Sequence, residues 1–135
     1  MGDGNGTAGY GQGKSGESTK AVEKATLAAQ KNLQHITLLE KRTLFSDIDA
    51  TVCSTRVRLF TAPQGYGVIA NGTVREVCRV FGVKDVGSKI EGNTNPMNVV
   101  KAAFEALRRA QTPEELAKMR GLKSVDVCSR YFGEK

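Results

Sequence analysis

Tryptophan is absent from this chain of 135 residues, histidine occurs once, proline three times, and aromatic residues make up 6%. A large aromatic cofactor pocket is therefore not expected. No G-x-S-x-G elbow, H-E-x-x-H helix or kinase-type motif set occurs, so the common catalytic signatures are missing. The three cysteines, Cys53, Cys78 and Cys128, are odd in number and far apart, with no C-x-x-C pair and no histidine at ligand spacing. Buried, reduced thiols are expected rather than a metal or redox centre. No apolar run approaches the roughly 20 residues that a membrane-spanning helix needs, so no membrane partner is expected. Gly6 stands where the N-myristoylation pattern wants Ser or Thr, and no basic amphipathic targeting segment opens the sequence.

Positive charge and glycine are what the chain has in excess. Twenty Lys and Arg against 14 Asp and Glu give a net charge of +6, with a pI near 9.4, which favours a polyanionic partner. The length suits one domain or two small ones. Glycines crowd the opening stretch GDGNGTAGYGQGKSGES, residues 2–18. A Walker loop laid over it fails by one residue, because counting back from Gly13-Lys14-Ser15 puts Ala8 at the first glycine position. The dinucleotide pattern G-x-G-x-x-G matches twice, at Gly4, Gly6, Gly9 and at Gly11, Gly13, Gly16, but neither match follows a βαβ strand. Turn chemistry is the plainer reading, and a nucleotide-binding enzyme stays only as an alternative.

Along residues 18–39, Val22, Ala25, Ala29, Leu33 and Ile36 recur at three and four, which predicts one amphipathic helix. Lys20, Lys24 and Lys31 fall outside that stripe, as a solvated face or as phosphate contacts. Residues 37–60 are rich in β-branched and aromatic types and predict two or three strands. In Arg56-Val57-Arg58-Leu59 the alternation turns Val57 and Leu59 to the core and both arginines outward. A second glycine cluster, residues 64–72, leads into a helix with Val74, Val77, Cys78 and Phe81 on its buried face and Gly82 as its stop. A strand over residues 83–90 follows. Asn95-Pro96 reads as N-cap and first-turn proline of a third helix, with Met97, Val100, Phe104 and Leu107 in its core stripe. Thr112-Pro113-Glu114-Glu115 is a capping box that opens a short fourth helix ending at Gly121. The order predicts an α+β protein of two small units, residues 1–53 and 54–135.

Two candidates for chemistry remain, and both are weak. His35 falls near the end of the first predicted helix, where a surface or capping role suffices. Asp47 and Asp49 flank Ile48 and can share the exposed face of a strand, but nothing beside them suggests a substrate cleft. Binding, with neither catalysis nor cofactor, is the expected class.

Longer ordered motifs carry more. GDGNG-x-x-G-x-G-x-GK at residues 2–14, the stretch Gly65-Tyr66-Gly67-Val68-Ile69-Ala70-Asn71-Gly72 with Arg75 after it, Asn93-Thr94-Asn95-Pro96-Met97-Asn98-Val99-Val100-Lys101-Ala102, and Arg120-Gly121-Leu122-Lys123-Ser124-Val125-Asp126-Val127 together resemble the fifth small-subunit ribosomal protein family. The resemblance covers nearly the whole chain. It implies an N-terminal unit like a double-stranded RNA-binding domain and a C-terminal βαβ-type unit with a left-handed crossover. A structural place on the small ribosomal subunit is implied as well, on rRNA, near the side where mRNA enters and beside the fourth and eighth small-subunit proteins. The opening stretch would then be half of a hairpin on RNA, where glycines admit close backbone approach and Asn5, Gln12 and Lys14 supply donors. Tyr10 would either stack on a base or pack under the sheet.

The expected RNA-binding set is Asn5, Tyr10, Gln12, Lys14, Lys20, Lys24, Lys31, Arg56, Arg58, Asn93 and Asn95, and by position Gly72 and Arg75 would border the fourth protein, where decoding accuracy is affected. The family's first strand and basic Gly-Gly loop lie upstream of Met1, so a separate chain or a longer product is expected to complete the first sheet. Residues 42–48 lack the His-Pro usual in bacterial members. With Gln64-Gly65-Tyr66-Gly67, Cys78-Arg79-Val80-Phe81-Gly82-Val83-Lys84-Asp85 and the ending from Val125 to Tyr131-Phe132-Gly133, the chain resembles mitochondrial members more closely. The mitochondrial matrix is expected over a bacterial cytoplasm or plastid stroma. A non-ribosomal RNA-binding module is the other alternative.

Overall fold

The computed structural model describes residues 1–127. Strand β1 (Thr7–Gly9) precedes helix α1 (Ser18–Lys31), whose end is followed at once by β2 (Leu33–His35). Strands β3 (Ile48–Val52), β4 (Thr55–Thr61) and β5 (Val68–Ile69) come next, then α2 (Gly72–Phe81) and β6 (Val86–Gly92). Three helices close the described chain: α3 (Pro96–Arg108), α4 (Pro113–Arg120) and α5 (Ser124–Val127). Cys128 and the Tyr131-Phe132-Gly133 motif lie outside the described residues.

Two sheets form. β1 and β2 pair antiparallel, and the larger sheet has the order β3-β4-β6-β5, antiparallel except for the parallel pair β5 and β6. A parallel pair needs a crossover, and α2 supplies it. Val57 and Leu59 are buried as the alternation required, and Arg56 and Arg58 stand on the opposite face. Helices α2 and α3 cover the buried face with Val74, Phe81, Val99, Ala103, Phe104 and Leu107. Ala8 and Ile36 of the N-terminal segment belong to the same core, and Tyr10 packs on it.

The helix boundaries follow the capping residues. Asn71 accepts the Thr73 N–H at the start of α2, and Gly82 closes it in the left-handed region at φ 84°. Asn95 caps α3 through the Met97 N–H, and Thr112 and Glu115 form the reciprocal capping box of α4.

Several expectations are corrected. The first helix stops at Lys31, not near residue 39, because Asn32 leaves helical geometry and Leu33–His35 gains backbone partners in β1. His35 is therefore a strand residue, with Nδ1 3.0 Å from Thr7 Oγ1. Val22 and Leu33 of the predicted stripe are exposed. Residues 37–47 form a loop with positive φ at Glu40 and Lys41. The strand placed over residues 83–90 begins at Val86, and the second glycine cluster contains the short strand β5. Met97 is 53% exposed rather than core, in the first turn of α3 ahead of Val99, the first buried residue of that helix. Cys53 is exposed at the β3–β4 turn, at φ 53°, while Cys78 is buried as expected. That turn means β3 pairs with β4 across the expected division at residue 53.

One buried ion pair ties three loops together. Asp85 is 2% exposed, and its carboxylate accepts the Gly67 N–H at 2.9 Å and the Arg42 Nε–H at 3.0 Å. In return the Arg42 carbonyl accepts the N–H groups of Lys84 and Asp85. The Gly67 bond, then the Arg42 contact, hold the Asp85 carboxyl below the usual carboxylate range. A depressed folded-state pKa gives stability that is present above the unfolded value of about 3.9 and lost as pH falls through the folded value. Asp85→Asn should therefore melt at lower temperature than the parent at neutral pH, with the gap closing as pH drops below about 4. Melting curves recorded from neutral to acid pH check this, and a gap unchanged at pH 2 would refute it.

Candidate nucleic-acid interface

The opening glycines have a structural partner. A β-carbon on Gly9, Gly11 or Gly13 would collide with the carbonyl oxygen of Ala29, Ala25 or Ala21 respectively. Every second residue of the extended segment thus meets every fourth residue of α1, in opposite chain directions. The periods agree because two extended residues advance about 6.6 Å and four helical ones about 6 Å. The close approach that the glycines permit is therefore to α1. Tyr10, on the alternate side, packs on Phe104 of α3, ring centroids 4.8 Å apart.

The remaining members of the expected set fall into separate groups. Asn5 sits in a tight turn whose Asp3 carboxylate accepts the N–H groups of Asn5 and Thr7, which lowers the Asp3 pKa. Asn5, Gln12 and Lys14 are exposed and alternate with the packed glycines. Lys20, Lys24 and Lys31 are exposed on α1, with Lys20 at 2.9 Å from Glu17. Arg56 and Arg58 lie on the open face of the larger sheet. Arg56 holds Asp49 at 2.6 Å and keeps that carboxyl below its usual range, and Arg58 lies 3.5 Å from Glu91.

Asn93 and Asn95 lie at the end of that sheet, where the Asn93 N–H reaches the Ser54 carbonyl and Thr55 Oγ1 donates to the Asn93 carbonyl at 2.6 Å. Their side-chain oxygens accept the backbone N–H groups of Asn95 and Met97, so both asparagines shape the loop. Gly72 and Arg75 are exposed in the first turn of α2, and Arg75 reaches only the Ala70 carbonyl, at 3.5 Å. The turn role of Asp3 and the Asp85–Arg42 pair escaped the sequence reading. The i, i+2 spacing of Asp3-Gly4-Asn5 was a legible turn signal, whereas nothing local links residues 42 and 85.

No catalytic arrangement emerges among the described residues. A groove of about 500 Å³ is lined by apolar groups including Tyr10, Val22, Val77, Val80, Val100 and Phe104. Burial pushes the Cys78 thiol up to about 12, which leaves it un-ionised. No group of three His, Cys, Asp or Glu residues gathers among the described residues, and no helix there is long and apolar enough to cross a membrane. The chemistry on display is cations, amides and exposed backbone, suited to holding a polyanion.

Comparison with known proteins agrees with that reading. Residues 1–37 match the family model described as ribosomal protein S5, N-terminal domain, and residues 50–120 match the one described as ribosomal protein S5, C-terminal domain. The chain is 43% identical over 132 residues to small ribosomal subunit protein uS5m of Neurospora crassa, covering 98% of this chain and 28% of that protein. It is 42% identical to uS5 of Bradyrhizobium diazoefficiens, covering 98% of this chain and 68% of that one. Identity to uS5 of Hyphomonas neptunium is 45%, over 96% of this chain and 65% of the relative. With the glycine hairpin, the βαβ crossover and the Asn-Pro helix start all inside the matched segments, the chain belongs to the ribosomal protein S5 family.

Proposed function

We propose that this chain is a structural, non-catalytic rRNA-binding component of the small ribosomal subunit. The observation that carries the reading is the match of both S5 domains, residues 1–37 and 50–120, to one chain. The cations of the opening stretch, of α1 and of the open sheet face supply the phosphate contacts: Lys14, Lys20, Lys24, Lys31, Arg56 and Arg58, with Asn5 and Gln12 as neutral donors. The segment through β2 acts as the double-stranded-RNA-binding-like unit, and the larger sheet with its helices, which takes in β3 from before residue 53, as the second, with α2 as a left-handed crossover between β5 and β6. Asn93 and Asn95 offer their side-chain amides to RNA, and Tyr10 supports the hairpin from beneath. Gly72 and Arg75 meet the neighbouring fourth protein, the eighth lies on the same body, and the chain stands near incoming mRNA.

We place this subunit in mitochondria, on the motif similarities at Gln64-Gly65-Tyr66-Gly67 and residues 78–85. The mitochondrial and bacterial relatives, at 43% and 42%, do not separate the compartments by identity.

Sedimentation of a tagged full chain through a sucrose gradient of organelle lysate tests the proposal. Co-migration with small-subunit rRNA that survives a high-salt wash is the expected result. A tag that stays at the top while intact subunits sediment would refute it. Binding of the isolated chain to rRNA fragments should weaken steeply with salt, each phosphate contact adding about 0.7 to 0.9 to the log–log slope. Replacing Lys14 and Lys24 with Gln should flatten that slope by about 1.4 to 1.8.

A further inference from the structure

On the open face of the larger sheet, opposite the helices, three large apolar side chains are left in solvent. Phe60 is 39% exposed, Tyr66 48% and Ile69 55%. Phe60 stands on β4 two residues from Arg58, and therefore on the same face. Its cross-strand partner is Gly87 of β6, which also pairs with Ile69 of β5. A β-carbon on Gly87 would lie 3.6 Å from Phe60 Cβ and 4.0 Å from Tyr66 Cε1, so both aromatic side chains border one bare patch of backbone.

Tyr66 is held there by its loop. Its N–H bonds to the Pro63 carbonyl, Gly65 and Gly67 on either side take positive φ, and the Gly67 N–H is fixed on buried Asp85. Two aromatic rings fixed on an exposed sheet, with no side chain between them, form a platform rather than a core.

The charges around the platform are uneven. Asp49 is taken up by Arg56, Asp47 accepts the N–H and hydroxyl of Thr61, and Glu91 faces Arg58 at 3.5 Å. Lys89 stands two residues from Gly87 on the same face, and no carboxylate lies within ion-pair distance of it among the described residues. Its ammonium is the cation left to meet an outside anion, beside two exposed aromatic side chains. Stacking surface plus unpaired cation is the chemistry that takes a splayed base and its phosphate.

We propose that Phe60 and Tyr66 over Gly87, with Lys89 and Arg58 beside them, form a stacking site for an unpaired nucleotide of single-stranded RNA. The site is separate from the glycine hairpin and α1, and it rests on the proposed RNA-binding role of the chain. Ile69 walls the platform on the β5 side, and Lys89 holds the phosphate.

Fluorescence polarisation of a short labelled oligouridylate with the full chain tests the site. Phe60→Ala with Tyr66→Ala should weaken binding roughly fivefold or more per stacked base. The pair Phe60→Leu with Tyr66→Leu keeps the apolar bulk without the rings and should lose as much. Lys89→Gln should flatten the log–log salt slope by about 0.7. Both aromatic positions are exposed, so the melting temperature should stay close to that of the parent, which separates lost binding from lost fold. Unchanged affinity in the alanine pair overturns the site. Wild-type affinity in the leucine pair also overturns it, and points to an apolar protein neighbour as the occupant. If the gradient places the chain outside the subunit while the alanine pair still loses oligonucleotide affinity, the ribosomal reading falls and the stacking site stands.

Discussion

Replacing Phe104 with Ala should cost about 3 to 5 kcal/mol of stability, the range for truncating a buried Phe. For a chain of this length the melting temperature should fall by roughly 10 to 18 °C. The reason lies in what the ring touches. Phe104 is 3% exposed and sits between Tyr10, at 4.8 Å between centroids, and Phe81, at 5.0 Å, in tilted geometries that favour ring edge against ring face. Tyr10 follows β1 of the small sheet, and Phe81 ends the crossover helix of the large one. One side chain thus joins the N-terminal hairpin to the α2–α3 layer. Amide exchange gives the sharper check, because protection at β1 and at the end of α2 should be lost together. A drop of less than 1 kcal/mol, or exchange that rises only in α2, would show that the two segments do not share this core.

The consequence reaches function through position. The hairpin carries Asn5, Gln12 and Lys14, and the sheet carries Arg56, Arg58 and the Phe60–Tyr66 platform. These groups are on separate elements, and their spacing is set by the shared core. A protein that binds RNA by many weak phosphate contacts needs those contacts in register, since each fixes orientation and none supplies base identity.

Much of this was legible in the residues. The alternation at residues 56–59, the caps at Asn71, Asn95 and Thr112, and the stops at Gly82 and Gly121 all describe local events, and each is decided by a few adjacent side chains. What could not be read was decided at a distance. Ile36 continues the helical spacing of α1, but pairing of Leu33–His35 with Thr7–Gly9 ends the helix first. Met97 fits the helical stripe but lies in the exposed first turn, ahead of Val99, the first buried residue of α3. Arg42 and Asp85 are 43 residues apart, and no period connects them. At the candidate interface, the cations were legible as types. Which of them would be spent on a neighbouring carboxylate, as Arg56 is on Asp49, required the strand register.

The glycine run shows the same division, and it supports the second large effect. Glycine at every second position from 9 to 13 and alanine at every fourth from 21 to 29 are both visible in the sequence, yet their meaning appears only when the two segments lie against each other. Gly11→Ala should destabilise the chain by about 1 to 3 kcal/mol, because the added methyl meets the backbone of α1 at Ala25 and Ala29, which cannot yield as a flexible side chain would. Gly13→Ala should do likewise, with its methyl against the Ala21 carbonyl and 2.7 Å from the Ala25 nitrogen. Gly16→Ala is the matched control. Nothing lies within 4 Å of its β-carbon and its φ is not in the left-handed region, so loss of unfolded-chain entropy should leave it neutral or more stable by about 0.4 to 1 kcal/mol. Thermal and urea melts of the three variants decide the matter. If Gly11→Ala and Gly16→Ala shifted stability by the same amount, the extended segment at Gly9, Gly11 and Gly13 would be no more than a flexible loop. If the signs differ, the opening glycines serve first to seat α1, and that seat fixes where the lysines of the helix stand.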